Sequence, residues 1–164
     1  KHFIDFVPRR GSSSSILIEG VNNIEDTDEM VMWSMLGFPL TTVIIPVWLH
    51  SDMELPEIMI YNEELEDSPL CHYALGLKKE VQSMKWGTSK KYYINVNALL
   101  NADETGFMQV LPGLEDNILT TAYTKKALWE KDGLNVKELN EYYRWIDQTT
   151  TQFYKEHFPQ LNIQ

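Results

Sequence analysis

Arg9-Arg10-Gly11-Ser12-Ser13-Ser14-Ser15-Ile16-Leu17-Ile18-Glu19-Gly20 is the stretch whose reading decides the fold. Two cations and a glycine lead into four hydroxyls, which run without a break into three aliphatic residues. Composition by itself makes a Gly-Ser tract a flexible linker. Direct continuation into Ile16-Leu17-Ile18 instead predicts a β-strand over Ser14 to Glu19. Two more runs rich in Ile, Val, Met and Trp follow, Met30 to Leu36 and Val43 to Leu49. Between the first two lies Val21-Asn22-Asn23-Ile24-Glu25-Asp26-Thr27-Asp28, polar and acidic, suited to a surface hairpin loop and hence to an antiparallel pair. Pro46 cannot donate to a β-ladder, so the third run is expected at a sheet edge or a bulge. Leu55 to Tyr61 is expected to add a further short strand.

Beyond that point the pattern turns helical. Ser68-Pro69 reads as an N-cap followed by proline at the first helical position, and Leu70, Tyr73, Ala74, Leu77 and Val81 then share one face. A second helix is predicted from about Leu111 to Lys131, with Leu114, Ile118, Ala122 and Trp129 inward and Gly133 as its stop. Asn135 with Glu138 three residues on resembles a capping box. It opens a third helix whose inward positions are Leu139, Tyr142, Ile146, Phe153 and the stem of His157, and Pro159 ends it. The expected class is therefore α+β, with antiparallel strands in the first third and helices after them.

The 164 residues suit a single domain or a large part of a bigger one, and 43% hydrophobic residues argue against disorder. A formal charge of −10, from 24 acidic against 14 basic residues, disfavours nucleic acid unless the cations gather on one face. They are instead scattered in pairs, Arg9 and Arg10, Lys78 and Lys79, Lys90 and Lys91, Lys125 and Lys126. The longest apolar run, Gly37 to Leu49, is too short for a membrane span and is broken by Pro39, Thr41, Thr42 and Pro46. The single Cys71 excludes an intrachain disulfide, and no Cys or His spacing suggests zinc or another metal. No cofactor is implied.

The candidate binding residues are Arg9, Arg10, Ser12, Ser13, Ser14 and Ser15. In a strand, alternate hydroxyls face opposite sides, so Ser12 and Ser14 share one face and Ser13 and Ser15 the other. Hydroxyls orient an amide or carboxylate, and either arginine can pair with a carboxylate or with developing negative charge. The plainer alternative has equal weight: small serines let a second layer pack closely, and the arginines bind surface acids. Ser15 lacks the G-x-S-x-G setting of a nucleophile. His2, His50, His72 and His157 are far apart and read as structural or surface residues. Cys71 early in a helix is chiefly a small apolar filler, although a helix N-terminus can lower a thiol pKa. The acidic groups Glu25, Asp26, Asp28, Glu29 and Glu63, Glu64, Glu66, Asp67 read as solvated loops. The aromatic series Tyr142, Tyr143, Trp145, Phe153 and Tyr154 reads as helix packing.

Taken together, the Arg-Arg-Gly-Ser-Ser-Ser-Ser strand, the segment Met32-Trp33-Ser34-Met35-Leu36-Gly37-Phe38-Pro39 and the run Pro46-Val47-Trp48 resemble the C-terminal part of penicillin-acyltransferase-like proteins. These linear-amide C–N hydrolases and acyltransferases belong to the N-terminal-nucleophile superfamily. Leu111-Pro112 to Ile118, Leu128-Trp129, Tyr142 to Asp147 and Tyr154 resemble the helical end of its bacterial members. The resemblance implies a four-layer αββα sandwich, a small amide or acylated substrate, and a precursor that exposes an N-terminal cysteine as nucleophile and base. It also hints at a periplasmic or secreted setting. Lys1 is no such nucleophile and Cys71 lies in a helix, so the expectation is a C-terminal fragment of a larger domain. Its nucleophile and first half-sandwich would lie upstream, its partner would be the remainder of the precursor or another copy, and alone it would be inactive. What carries over is the Arg and Ser strand beside the substrate. The alternative is a non-enzymatic α+β domain binding a ligand or a protein.

Overall fold

A computed structural model describes residues 10–21, 30–82 and 93–163. Three strands, β1 (Ser14–Glu19), β2 (Val31–Leu36) and β3 (Ile45–Trp48), form an antiparallel sheet in that order. The helices α1 (Pro69–Val81), α2 (Val96–Leu99), α3 (Phe107–Asp132) and α4 (Val136–His157) follow, with single 3-10 turns at Glu57–Met59 and Pro159–Leu161. The class is α+β, strands first and helices after. None of the described helices is long and apolar enough to cross a membrane.

The strands form where β-branched, aromatic and sulfur-bearing residues alternate across a half-buried surface. Leu17, Trp33 and Pro46 stand in one cross-strand row, and Ile16, Ser34 and Ile45 in the next, on the opposite face. The Trp33 face packs on the long helices. Trp33 lies 5.2 Å from Tyr123 of α3, and Trp48 lies 5.1 Å from Trp129 of α3 and 6.1 Å from Tyr142 of α4, ring centre to ring centre. Such tilted and edge-on pairs each add about 0.5–1.5 kcal/mol beyond area burial. Pro46 sits in an outer strand, as its missing donor requires.

Helix α1 has the expected start. Ser68 Oγ accepts from the Cys71 amide, Pro69 opens the first turn, and Leu70, Tyr73, Ala74, Leu77 and Val81 are its buried face. Its close approach to the end of β2 depends on Gly37. That residue has φ 79°, and a Cβ there would stand 2.6 Å from the Ala74 Cβ. In α4 the Asn135 side chain accepts from the amides of Lys137 and Glu138, and Pro159 follows the last turn. Gly133, at φ 85°, closes α3.

Three expectations need correction. Helix α3 begins one turn before Leu111, because Gly106 serves as N-cap and the Gln109 side chain accepts the Gly106 amide at 3.1 Å; Pro112 is tolerated inside the helix. Leu55 to Tyr61 contains a 3-10 turn instead of a strand, since the Asp147 carboxylate of α4 accepts both the Glu57 and Ile58 amides, at 3.1 and 2.9 Å. Near the end of α4, Thr150 and Tyr154 take the buried positions, while Phe153 is half-buried and stacks on an exposed His157 at 4.0 Å. The short helix α2 was not anticipated.

Candidate functional site

The serine strand is held at both ends. At its start Lys78 of α1 donates to the Arg10 carbonyl at 2.6 Å while its ammonium lies 4.8 Å above the Phe38 ring. Burial, followed by the nearby Arg10 charge, pushes the Lys78 pKa down. At its end the Glu19 carboxylate accepts from Trp33 Nε1 at 3.0 Å and pairs with Lys126 of α3 at 3.2 Å. Between these anchors the strand is bare: Ile16, Leu17 and Ile18 are 56%, 61% and 61% exposed. Because Leu17 points to one face and Ile16 and Ile18 to the other, the exposed aliphatic surface lies on both sides of the sheet.

Ser13, Ser14 and Ser15 are exposed, and Ser12 and Arg10 are half-buried, with the Arg10 Nη1 itself buried. Ser14 and Ser15 lie opposite Leu36 and Met35 and so project to different faces. Arg9 lies outside the described residues, as do Lys1, His2, residues 22–29 of the expected hairpin loop with its acidic group, Lys90 and Lys91. Of the described candidates, Ser14 and Ser15 belong to β1, whereas Arg10 lies in a turn and Ser12 and Ser13 in the irregular segment before the strand, so the expected strand-like alternation does not extend to Ser12 and Ser13. Three concavities of the molecule are lined by other residues.

Burial, then the adjacent Asp67 carboxylate, pushes the Cys71 thiol up to about 12, against the opposing charge of Lys78. His50 Nδ1 accepts from the Asp52 amide and His72 is exposed. Among the described residues no three His, Cys, Asp or Glu side chains gather as a metal site. The aromatic series is packing: Tyr142, Tyr143 and Tyr154 are buried, and their hydroxyls tie α4 to its neighbours. Tyr142 donates to the Ile118 carbonyl at 2.8 Å, Tyr154 donates to the Thr41 carbonyl at 3.1 Å, and Tyr143 receives the Trp48 amide at 2.9 Å. Burial raises all three phenol pKa values.

The hydrogen-bonding roles of two residues are absent from the sequence reading. Glu115 of α3 accepts the Ile44 amide at 3.0 Å, and burial pushes its carboxyl upward against that hydrogen bond. Its signal was available: Leu111, Glu115, Ile118 and Ala122 follow the spacing of a buried helix face, so a carboxylate stands where an apolar residue belongs. Tyr143 is the other, and nothing in its spacing announces that its hydroxyl caps a strand edge.

Comparison of the chain with family models, with curated proteins and with solved structures found no match.

Proposed function

We propose that this chain supplies a three-stranded sheet and its helical cover to an amide C–N hydrolase or acyltransferase of the N-terminal-nucleophile type, joining the remainder of the sheet system along β1. The observation that carries this reading is the two-sided exposure of Ile16, Leu17 and Ile18 on a strand anchored at both ends. A strand meant for solvent on its outer side alternates polar with apolar residues; one meant for the middle of a layered sheet is aliphatic on both faces. Completing the sheet would place the hydroxyls of Ser12 to Ser15 beside a new neighbour, where they can orient an amide substrate. The nucleophile belongs to the joining part, because Cys71 is held protonated.

The test is to isolate the native protein from its source, sequence its N-termini and assay linear N-acyl amides. An N-terminal cysteine on a chain continuous or associated with this one, with turnover, supports the reading. Turnover by this chain alone, abolished by Cys71→Ala, would overturn it. The second reading, a non-enzymatic domain that accepts a partner's strand, rests on the same margin and would be favoured by an associated protein without amidase activity.

A further inference from the structure

The outer edge of β1 has a fixed parity. The Leu49 amide bonds to the Met30 carbonyl, so on the β2 side Met30, Met32 and Ser34 turn their backbone polar groups toward β3. Val31, Trp33 and Met35 therefore turn theirs toward β1, where they face Glu19, Leu17 and Ser15. That leaves Ser14, Ile16 and Ile18 with amides and carbonyls directed away from the sheet, and among the described residues β1 has no second neighbour. Any strand added to β1 has to match this alternation.

We infer that a second copy of this chain adds its own β1 there, antiparallel and two-fold symmetric, with Leu17 opposite the partner's Leu17. The inference rests on the reading of β1 as the joining margin and names the strand that joins it. A two-fold interface requires a self-complementary surface, and Ile16-Leu17-Ile18 reads the same in both directions. Centring on Leu17 makes Ile16 and the partner's Ile18 a hydrogen-bonded pair, as the alternation requires. Centring between Ile16 and Leu17 would set an outward amide against an inward one. Centring on Ile16 or Ile18 keeps the alternation but sets Ile18 against the partner's Ser14, or Ile16 against the partner's Gly20. On the helix side the two Leu17 side chains meet beside Tyr123, which is exposed next to Trp33. On the opposite face Ile16 and Ile18 of both copies gather and cover each other. Charge does not oppose the contact. Glu19 is the one charged residue of β1 and is paired with Lys126, while Ser15 stands opposite the partner's Glu19 with a hydroxyl to donate.

The experiment introduces Ile16→Cys, Leu17→Cys or Ile18→Cys, one at a time, into the chain carrying Cys71→Ala. Each variant is oxidised with diamide and dimer formation is followed on non-reducing gels, beside sedimentation equilibrium of the unaltered chain. Directly opposed residues of a non-hydrogen-bonded pair have Cα atoms about 4.5 Å apart, within the span of about 4.4–6.8 Å that a disulfide accepts. Like residues at 16 or at 18 are diagonal neighbours, about 7–8 Å apart. The expected result is a monomer–dimer equilibrium for the unaltered chain and crosslinking of Leu17→Cys at least about tenfold faster than of the other two. A chain that stays monomeric, faster crosslinking at 16 or 18, or a native preparation that holds a different chain and no dimer would overturn the pairing. Should Cys71→Ala fail to fold, the crosslinks are assigned by peptide mass in chains that keep Cys71. The hydrolase reading is judged apart, by the N-terminal cysteine and turnover of the native protein, so each can fail while the other stands.

Discussion

The two margins of the sheet are built by opposite rules. Along β3 the Leu49 amide bonds back to the Met30 carbonyl of the β2 side, so Ile44, Pro46 and Trp48 are the alternate positions that face outward. Each is closed: the Ile44 amide goes to Glu115, Pro46 has no N–H, and the Trp48 amide goes to the Tyr143 hydroxyl. All four β3 residues are buried. Along β1, five of six residues are exposed, no proline interrupts the strand, and among the described residues its backbone bonds only to β2. Proteins blunt a strand edge that must stay free with proline, charge or cover. Among the described residues the fold applies those devices to β3 and not to β1.

Ile16 and Ile45 flank Ser34 in one cross-strand row and on one face, which makes them a matched pair for breaking the comparison. Ile45 is fully buried and Ile16 mostly exposed. Ile45→Ala is expected to cost about 2–5 kcal/mol in a urea melt, and Ile16→Ala less than about 0.5 kcal/mol. Equal costs would mean that β1 is already covered in the isolated chain, and the reading of an open margin would fall.

Tyr143→Phe sharpens the same contrast by unsealing β3 alone. It strands the buried Trp48 amide, and the expected cost is about 1–3 kcal/mol at nearly unchanged packing volume. Chemical denaturation measures the loss, and hydrogen exchange at Trp48 locates it. A variant as stable as the parent would show that the Trp48 amide finds another acceptor.

How much of this was legible follows from the range of the interactions. Strand β1, the cap at Ser68, the inward stripe of α1 and the stops at Gly133 and Pro159 are local: each rests on residues within a few positions, so spacing and turn chemistry reveal them. The 3-10 turn at Glu57–Met59 reads as a strand in the sequence because its cause, Asp147, lies some ninety positions away. The seal on Trp48 by Tyr143 is equally remote in sequence. For the candidate site, the strand over Ser14 to Glu19 is legible from its aliphatic run, but its exposure on both faces is a tertiary property that alternation does not show. Glu115 is legible as a carboxylate on an apolar stripe; its acceptance of the Ile44 amide is not, because that partner lies far away in the chain.

Leu17→Lys acts on β1 with little effect on stability, because the residue is exposed and a charge on a strand edge discourages pairing. The unaltered chain is expected to self-associate with rising concentration or to bind a hydrophobic dye. The variant is expected to stay monomeric in sedimentation and dark to the dye. A chain that is monomeric and dye-silent without the substitution would show that β1 is stable as a free margin.

The smallest expected effect concerns the other end of the contrast, the carboxylate that closes β3. Burial raises the Glu115 pKa above its ordinary 4.5, opposed by the Ile44 hydrogen bond and aided by Asp116. The folded chain therefore binds more protons at this position than the unfolded chain in the window between the two values, and stability falls as pH rises through it. Glu115→Gln removes that dependence. The difference in unfolding free energy, parent minus variant, should decline as pH is raised from below 4.5 through the folded-state value and then level off. Groups common to both proteins, Asp147 among them, cancel in the difference. A difference that rises with pH would mean that the hydrogen bond to Ile44 outweighs burial, making Glu115 a net stabilising seal on β3 at neutral pH.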